Sequence, residues 1–383
     1  MLQFLIPGIR SLWNKPKNQI PALDGLRSLA ILLVIGTHST AAFTGMGGTP
    51  SFLSQFRLLT GGWVGVDLFF ILSGFFIGKQ LWQEVAHSGT VNFKQFILRR
   101  GLRIWPLYFA VLFITVGFFL VMGKDSRPLW PELFFLSNYF GVHYIGGSWS
   151  LATEEQFYIA IPLILLGLSR LTGSLRVMRW VMIGVLAGLP LIRALVVARL
   201  GAVDWSDVHR VISTLYEPIH THSDPLIFGM ILSNIMTDSK AREWYSRNPS
   251  WAIFIGLSVF GVILRKLNLL VFEYTFLALM FGGLAWYSLQ ATAQNLLVKV
   301  MSWRGFYLIS KLSFGMYLMH QYAMDFIGEQ TLALLPGTHP ALQFAVFSLA
   351  NLAVAMGSAA LGFVVVEHPF LRLRGRLGFG AVH

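Results

Sequence analysis

The chain has 383 residues, 55% of them hydrophobic and only 12% charged, with a mean hydropathy of +0.64; soluble domains carry about 25% charged residues, so a water-soluble globule is excluded. The net charge of +12 is scattered between apolar stretches and not gathered on one soluble domain, which argues against a nucleic-acid partner. The lack of cysteine rules out disulfides, thiolate metal sites and acyl-cysteine chemistry.

In chain order, the first 20 residues run MLQFLIPGI and then SLWNKPKNQ. They are too short to span and carry no A-x-A cleavage site, so a cytoplasmic or interfacial segment is expected in place of a removed signal peptide. Apolar stretches near 28–46, 61–82, 104–122, 150–169, 177–198, 222–236, 251–264, 269–290, 306–327 and 341–366 follow. With ~20 residues needed per crossing, they predict an all-α polytopic membrane protein of about ten transmembrane helices, 222–236 and 251–264 being the short ones. Most of the 29 basic residues, among them Lys15, Arg99, Arg100, Arg176 and Arg372, fall on alternate connections. The positive-inside rule then puts both termini in the cytoplasm. The expected organisation is a terminal segment over 1–20, a membrane domain over 21–372 and a cytoplasmic tail over 373–383, with no fixed-period repeat and no appended soluble domain.

The first span holds Arg27 and His38 at the two ends of the apolar run SLAILLVIGT. Eleven residues at 100° each end about 20° past three full turns and rise roughly 16 Å, so both side chains lie on one helix face. An imidazole this deep in hydrocarbon either faces a polar cavity as part of a functional site or hydrogen-bonds to a neighbouring helix. The second span, GGWVGVDLFFILSGFFIG, carries glycines suited to close helix approach and Asp67. That carboxylate either pairs with another helix or orients and charges the site.

Arg99, Arg100 and Arg103 precede the third span in FKQFILRRGLRIWPLYF. They read either as inner-face anchors or as a receptor for a phosphorylated ligand, since planar guanidinium forks bind phosphate oxygens bidentately. Pro106, followed by Tyr108, would start or kink the helix and open room beside it. The fourth span begins GGSWSLATEEQFYIAIP. Adjacent helical residues point about 100° apart, so one of Glu154 and Glu155 is expected inward and the other at the interface. Trp149 is expected in the interfacial aromatic belt, unless an inward Glu154 makes a polar pocket under it and Ser150.

His220, His222 and Asp224 in EPIHTHSDPLIFGM have a spacing only loosely compatible with zinc, with no fourth ligand indicated. His320 in SFGMYLMHQY and Glu367 in EHPFLRLRGR can each serve as helix-packing hydrogen bonds. Serine-hydrolase, Walker and dinucleotide fingerprints are lacking.

Taken in order, these segments resemble the acyltransferase-3 family of integral membrane acyltransferases. LDGLRSLAILLVIGTH (23–38) looks like the family's R-x10-H helix, GGWVGVDLFFILSGF (61–75) like its second helix and RRGLRIWPLY (99–108) like its basic motif. WSLATEEQFYIAIP (149–162), SFGMYLMH (313–320) and EHPF (367–370) complete the series, which covers the chain from about residue 20 to 372. Two departures stand out: His222 occupies the place where the family commonly has an arginine two residues before the aspartate, here Asp224, and the esterase-like extracytoplasmic domain of some relatives is not expected.

The resemblance implies transfer of an acyl group, usually acetyl, from cytoplasmic acyl-coenzyme A to a hydroxyl of an extracytoplasmic carbohydrate or glycolipid, in a bacterial inner membrane. It implies no permanently bound cofactor and no metal; acetyl-coenzyme A is a substrate. His38 would be the general base, its pKa near ~6.5 suiting proton acceptance near neutrality, with a covalent acyl-histidine as the alternative. Arg27 would hold donor phosphate or carbonyl, Asp67 and Glu154 would orient His38 or bind sugar hydroxyls, and Arg99, Arg100, Arg103 and Tyr108 would bind the donor. Trp149, Ser150, Asp224 and His320 would line the acceptor pocket. Acceptor handling would fall to the bundle loops or to a separate periplasmic partner. The competing class is a proton-coupled transporter or flippase, which also uses intramembrane His, Asp, Glu and Arg, although no inverted repeat is evident.

Overall fold

A computed structural model describes residues 2–15, 20–56, 60–123, 127–200, 207–247, 270–291 and 294–378, and among these the chain is all helical. Helix α1 (Leu2–Trp13) is followed by α2 (Pro21–Gly45), a 3-10 turn (Gly62–Val64) leading into α3 (Gly65–Ser88), and α4 (Phe93–Val121). Two single turns, α5 (Trp130–Leu133) and α6 (Ser137–Phe140), precede α7 (Ser148–Leu171) and α8 (Leu175–Leu200). Then come α9 (Val208–Val211), which widens into a π turn (Ile212–Tyr216), α10 (Asp224–Thr237), α11 (Ser239–Arg247), α12 (Glu273–Gln290) and α13 (Leu296–Met301). The chain closes with α14 (Arg304–Ala333), α15 (Pro340–Gly362), a second π turn (Phe363–Glu367) and α16 (His368–Arg376).

Six of the described helical segments are long and apolar enough to cross a bilayer, and α10 is a shorter apolar helix. The expected stretch at 251–264 lies outside the described residues. Helix α4 begins at Phe93, earlier than the third apolar stretch, so Arg99, Arg100 and Arg103 sit within its first three turns. Its start is set by Asn92, whose side chain accepts from the Gln95 backbone N–H at 3.1 Å, the preferred N-cap chemistry. Pro106 lies inside this unbroken helix, and beside it an apolar cavity of about 280 Å³ is lined by Leu98, Trp105, Pro106, Phe109 and Phe370.

Helix α3 is the hub. Two-thirds (67%) of its most apolar window is buried, against 28% for α8. The peripheral helices instead turn residues such as Ile114 (73% exposed) and Leu191 (64% exposed) outward, as lipid-facing surfaces do. Helix α10 packs closely along α3 because both present glycine at the crossing. A Cβ on Gly74 would collide with the Leu226 carbonyl, and one on Gly229 with the Ile71 carbonyl, so backbones meet where side chains would otherwise hold them apart. The Trp82 indole N–H donates to Met230 O at 2.9 Å and ties the same pair. Helix α14 lies between α2 and α15, which carries its residue His320 to the face of α2 that holds His38. Helix α1 docks on the far end through buried Leu12 and through bonds from Lys311 Nζ to Ser11 O and from Tyr307 Oη to Asn14 O.

Candidate active site

Three groups of polar side chains mark the bundle. The first gathers around the N-terminal turns of α2 and α4 and around α16, where Arg103 is exposed and Arg27, Arg99, Arg100 and Arg374 are half-buried. Arg103 lies within charge–charge range of Arg27, Arg100 and Arg374, and Arg374 also of Arg99. None of these five guanidiniums makes an ion pair with a carboxylate among the described residues. The buried Nε atoms of Arg99 and Arg374 have no hydrogen-bond partner. Arg27 instead stacks over Phe76 at 5.0 Å and Arg100 over Tyr158 at 5.7 Å, contacts that orient a cation without neutralising it. Glu154 faces this group, within charge range of Arg27 and Arg100 and beside the Ser73 and Tyr158 hydroxyls, which share a 2.6 Å hydrogen bond. Glu367 approaches Arg103 from the π turn.

Glu155, expected at the interface if Glu154 turned inward, is only 3% exposed. It accepts from the Trp105 indole N–H at 2.9 Å, and its Oε1 has no partner. Packing of α4 over α7 covers a face that helical periodicity alone assigns to the boundary.

The second group joins α2, α7 and α14. His38 Nδ1 and His320 Nε2 are 2.9 Å apart, and His320 Nδ1 lies 2.7 Å from Tyr317 O. His320 is fully buried, whereas the His38 ring is partly open and turns its Nδ1, not its Nε2, toward His320. One turn before His320, the Tyr317 hydroxyl meets Ser150 Oγ at 2.6 Å and Gly147 O at 3.0 Å. Gly147 adopts φ +80° where the chain enters α7, a left-handed conformation that glycine takes without penalty. Neither Asp67 nor Glu154, expected either to orient His38 or to bind sugar hydroxyls, hydrogen-bonds to it.

Asp67 belongs to a third, fully buried group. Its Oδ1 is 2.8 Å from His222 Nε2, both side chains are 0% exposed, and its Oδ2 has no partner. His222 Nδ1 lies 2.7 Å from Tyr216 O, and its ring is packed among Tyr216, Tyr274 and Phe70. Trp149, half-buried, joins these rings, 4.6 Å from Tyr216 and 6.2 Å from Phe70 between centroids. Asp224 is held by Arg193 at 2.7 and 3.1 Å, again with both side chains 0% exposed. Arg193 also donates to Thr221 O, Val271 O and Thr275 Oγ1.

The cation missing two residues before Asp224 is therefore supplied by α8, and His222 serves Asp67. The three side chains of the loose zinc pattern turn to different partners, since His220 meets the Tyr139 hydroxyl at 3.0 Å. No group of three or more potential metal ligands occurs among the described residues.

Tyr108, expected with the donor arginines, turns the other way. Its hydroxyl donates to Glu132 Oε2 at 2.6 Å. Glu132 is 0% exposed and also accepts from the Tyr144 N–H at 2.7 Å and the Ser148 hydroxyl at 3.0 Å, so Tyr108 and Glu132 anchor the segment that delivers Trp149 and Ser150. Sequence reasoning did not single out Glu132, Arg193 or Arg374. The available signal was charge balance: an arginine inside an apolar run requires a carboxylate elsewhere, and Asp224 was the carboxylate without a partner.

Comparison with known proteins follows this geometry. The Acyl_transf_3 family model, an acyltransferase domain, matches residues 20–360. O-acetyltransferase OatA of Staphylococcus aureus strain NCTC 8325 is 24% identical over 334 residues, covering 81% of this chain and 51% of the relative, and OatA of strain COL gives the same values. The chain spans about half the length of these relatives. No solved structure matches it.

Proposed function

The chain belongs to the Acyl_transf_3 family of acyltransferases, and on that premise we propose that it is a membrane O-acyltransferase moving an acetyl group from cytoplasmic acetyl-coenzyme A to a hydroxyl of an extracytoplasmic carbohydrate or glycolipid, in a bacterial inner membrane. The name O-acetyltransferase carried by the relatives supports acetyl as the group and oxygen as the acceptor atom. The observation that carries the reading is the gathering of Arg27, Arg99, Arg100, Arg103 and Arg374 without carboxylate ion pairs among the described residues. Asp24, Glu154, Glu155 and Glu367 lie within charge range of this group but form no ion pair with it among the described residues, which leaves guanidinium donors for a polyanion, and the phosphates of coenzyme A are one. The positive-inside rule puts that end in the cytoplasm.

From there the pantetheine arm runs along α2 toward His38, roughly 16 Å further on the same face as Arg27. The His38 imidazole removes the proton from the acceptor hydroxyl as its oxygen attacks the thioester carbonyl. The carbon–sulfur bond then breaks, and the proton passes from His38 to the leaving thiolate, giving an O-acetyl ester and free coenzyme A. Ser150, Tyr317 and Trp149 stand on the acceptor side. Asp67–His222 and Asp224–Arg193 hold α3, α8 and α10 in place and do not themselves react.

The test is acetyl-coenzyme A binding and turnover by the purified, detergent-solubilised protein, with Arg100→Ala and His38→Ala beside the parent. Loss of binding in the arginine variant, and kept binding with lost turnover in the histidine variant, is the expected pattern. A folded parent that binds no coenzyme A, or a folded His38→Ala protein that still transfers acetyl, refutes the reading.

A further inference from the structure

We infer that His320 is a positioning residue that holds His38 in a single tautomer, proton on Nδ1 and lone pair on Nε2, so that Nε2 is the atom that takes the acceptor's proton. The inference rests on His38 being the base of the proposed reaction and specifies how that base is prepared. It follows from the direction in which each hydrogen bond of one chain must run. The Tyr317 carbonyl can only accept, so at 2.7 Å the His320 Nδ1 carries the hydrogen. His320 is fully buried, and no carboxylate pairs with it or with His38 among the described residues. A buried cation without a counter-charge is strongly disfavoured, so His320 is neutral. Neutral imidazole with a hydrogen on Nδ1 has its lone pair on Nε2. That lone pair, 2.9 Å from His38 Nδ1, can only receive, and His38 Nδ1 must therefore be the donor. The His38 lone pair is then on Nε2, the ring nitrogen that does not face His320.

The arrangement differs from a serine-protease triad, in which a carboxylate orients the histidine and stabilises its cation. Here the orienting acceptor is a neutral imidazole backed by a main-chain carbonyl. His38 is thus steered as a base without a nearby anion to hold its imidazolium form. A proton taken at Nε2 is readily given up to the leaving thiolate. Helix α14 supplies both parts of the device, since Tyr317 and His320 are three residues apart and face the same neighbour, α2.

The tautomer is read directly from nitrogen chemical shifts of the intact protein in detergent, labelled with 15N-histidine and assigned for His38 by comparison with His38→Gln. The expected spectrum has Nδ1 of His38 protonated and Nε2 unprotonated in the parent. In His320→Ala the hydrogen moves to Nε2, the site that neutral imidazole favours when unconstrained. His320→Gln, whose side-chain oxygen can stand where Nε2 stood, should restore the Nδ1–H form and much of the turnover. In His320→Ala, kcat for acetyl transfer should fall about 10²- to 10⁴-fold with KM for acetyl-coenzyme A unchanged, a split that loss of packing alone would not produce.

A parent with its His38 hydrogen on Nε2 overturns the inference without recourse to any variant, as does a folded His320→Ala protein whose His38 tautomer is unchanged. A parent with the expected tautomer but no acyl transfer keeps the tautomer lock and refutes the acyltransferase reading instead.

Discussion

Neutralising Asp224 should be among the most damaging single changes outside the reacting centre. Asp224 and Arg193 are each 0% exposed, their bidentate contacts measure 2.7 and 3.1 Å, and Thr275 adds its hydroxyl to Asp224 Oδ1 at 2.5 Å. Asp224→Asn preserves the shape, removes the charge and turns an amide group toward guanidinium hydrogens, leaving Arg193 cationic and enclosed. Breaking a buried pair from one side costs about 3–5 kcal/mol. Arg193→Met should be at least as severe, because it also deprives Thr221 O and Val271 O of their donor, at about 1–3 kcal/mol for each buried group left unsatisfied. Replacing both, as Arg193→Met with Asp224→Asn, removes the stranded charge altogether and should fall short of the summed single losses by about 2 kcal/mol or more. Unfolding in mixed micelles titrated with sodium dodecyl sulfate measures all four proteins on one scale. An Asp224→Asn protein within about 0.5 kcal/mol of the parent, or single losses that simply add, would show that the pair is not the enclosed, mutually dependent unit described.

Three further outcomes are expected. Arg374→Ala should weaken acetyl-coenzyme A binding about tenfold, the ~1.4 kcal/mol of one charge-assisted contact, with kcat preserved at saturation; isothermal titration of the folded variant reads it, and unchanged affinity removes Arg374 from the donor site. Glu132→Gln should loosen the segment 141–148 that positions Trp149 and Ser150, because the Tyr108 hydroxyl and the Tyr144 N–H donate to different oxygens of Glu132 and glutamine keeps only one of them as an acceptor; faster amide hydrogen exchange there, with exchange in α3 unaltered, is the signature. Burial lowers the pKa of His220 below the ordinary 6.5, so the folded state favours its neutral form: the stability this gives the segment that His220 shares with Tyr139 is fully present above 6.5 and is lost as pH falls from there through the lower folded-state value. Protection of the amides over 137–141, taken relative to their intrinsic exchange at each pH, should fall on that limb in the parent and stay level in Tyr139→Phe.

The sequence alone carried the properties that belong to single segments. Composition fixes the solvent, because a chain this poor in charge can satisfy its backbone in lipid only as helices. Helical period puts Arg27 and His38 on one face of α2, because the angle between two positions on a helix depends only on their separation. The glycines of α3 were legible as close-approach positions for the same local reason. Order and spacing of the motifs sufficed for the family.

Only the tertiary structure decided which groups meet. His38 was expected beside Asp67 or Glu154 and meets His320; Asp67 meets His222; Asp224 meets Arg193; Tyr108 meets Glu132. Each pairing joins residues from different elements, and in three of the four they are more than 30 positions apart. Each of these polar groups needs a partner in a medium where water cannot supply one, which the sequence makes plain. Several groups of suitable charge compete for each, however, and the winner is set by which helices the glycine contacts and apolar packing bring side by side. The tautomer of His38 is the extreme case: it depends on a carbonyl of α14 that has no side-chain identity at all, and only the assembled bundle places that carbonyl where it can dictate the direction of the whole chain of hydrogen bonds.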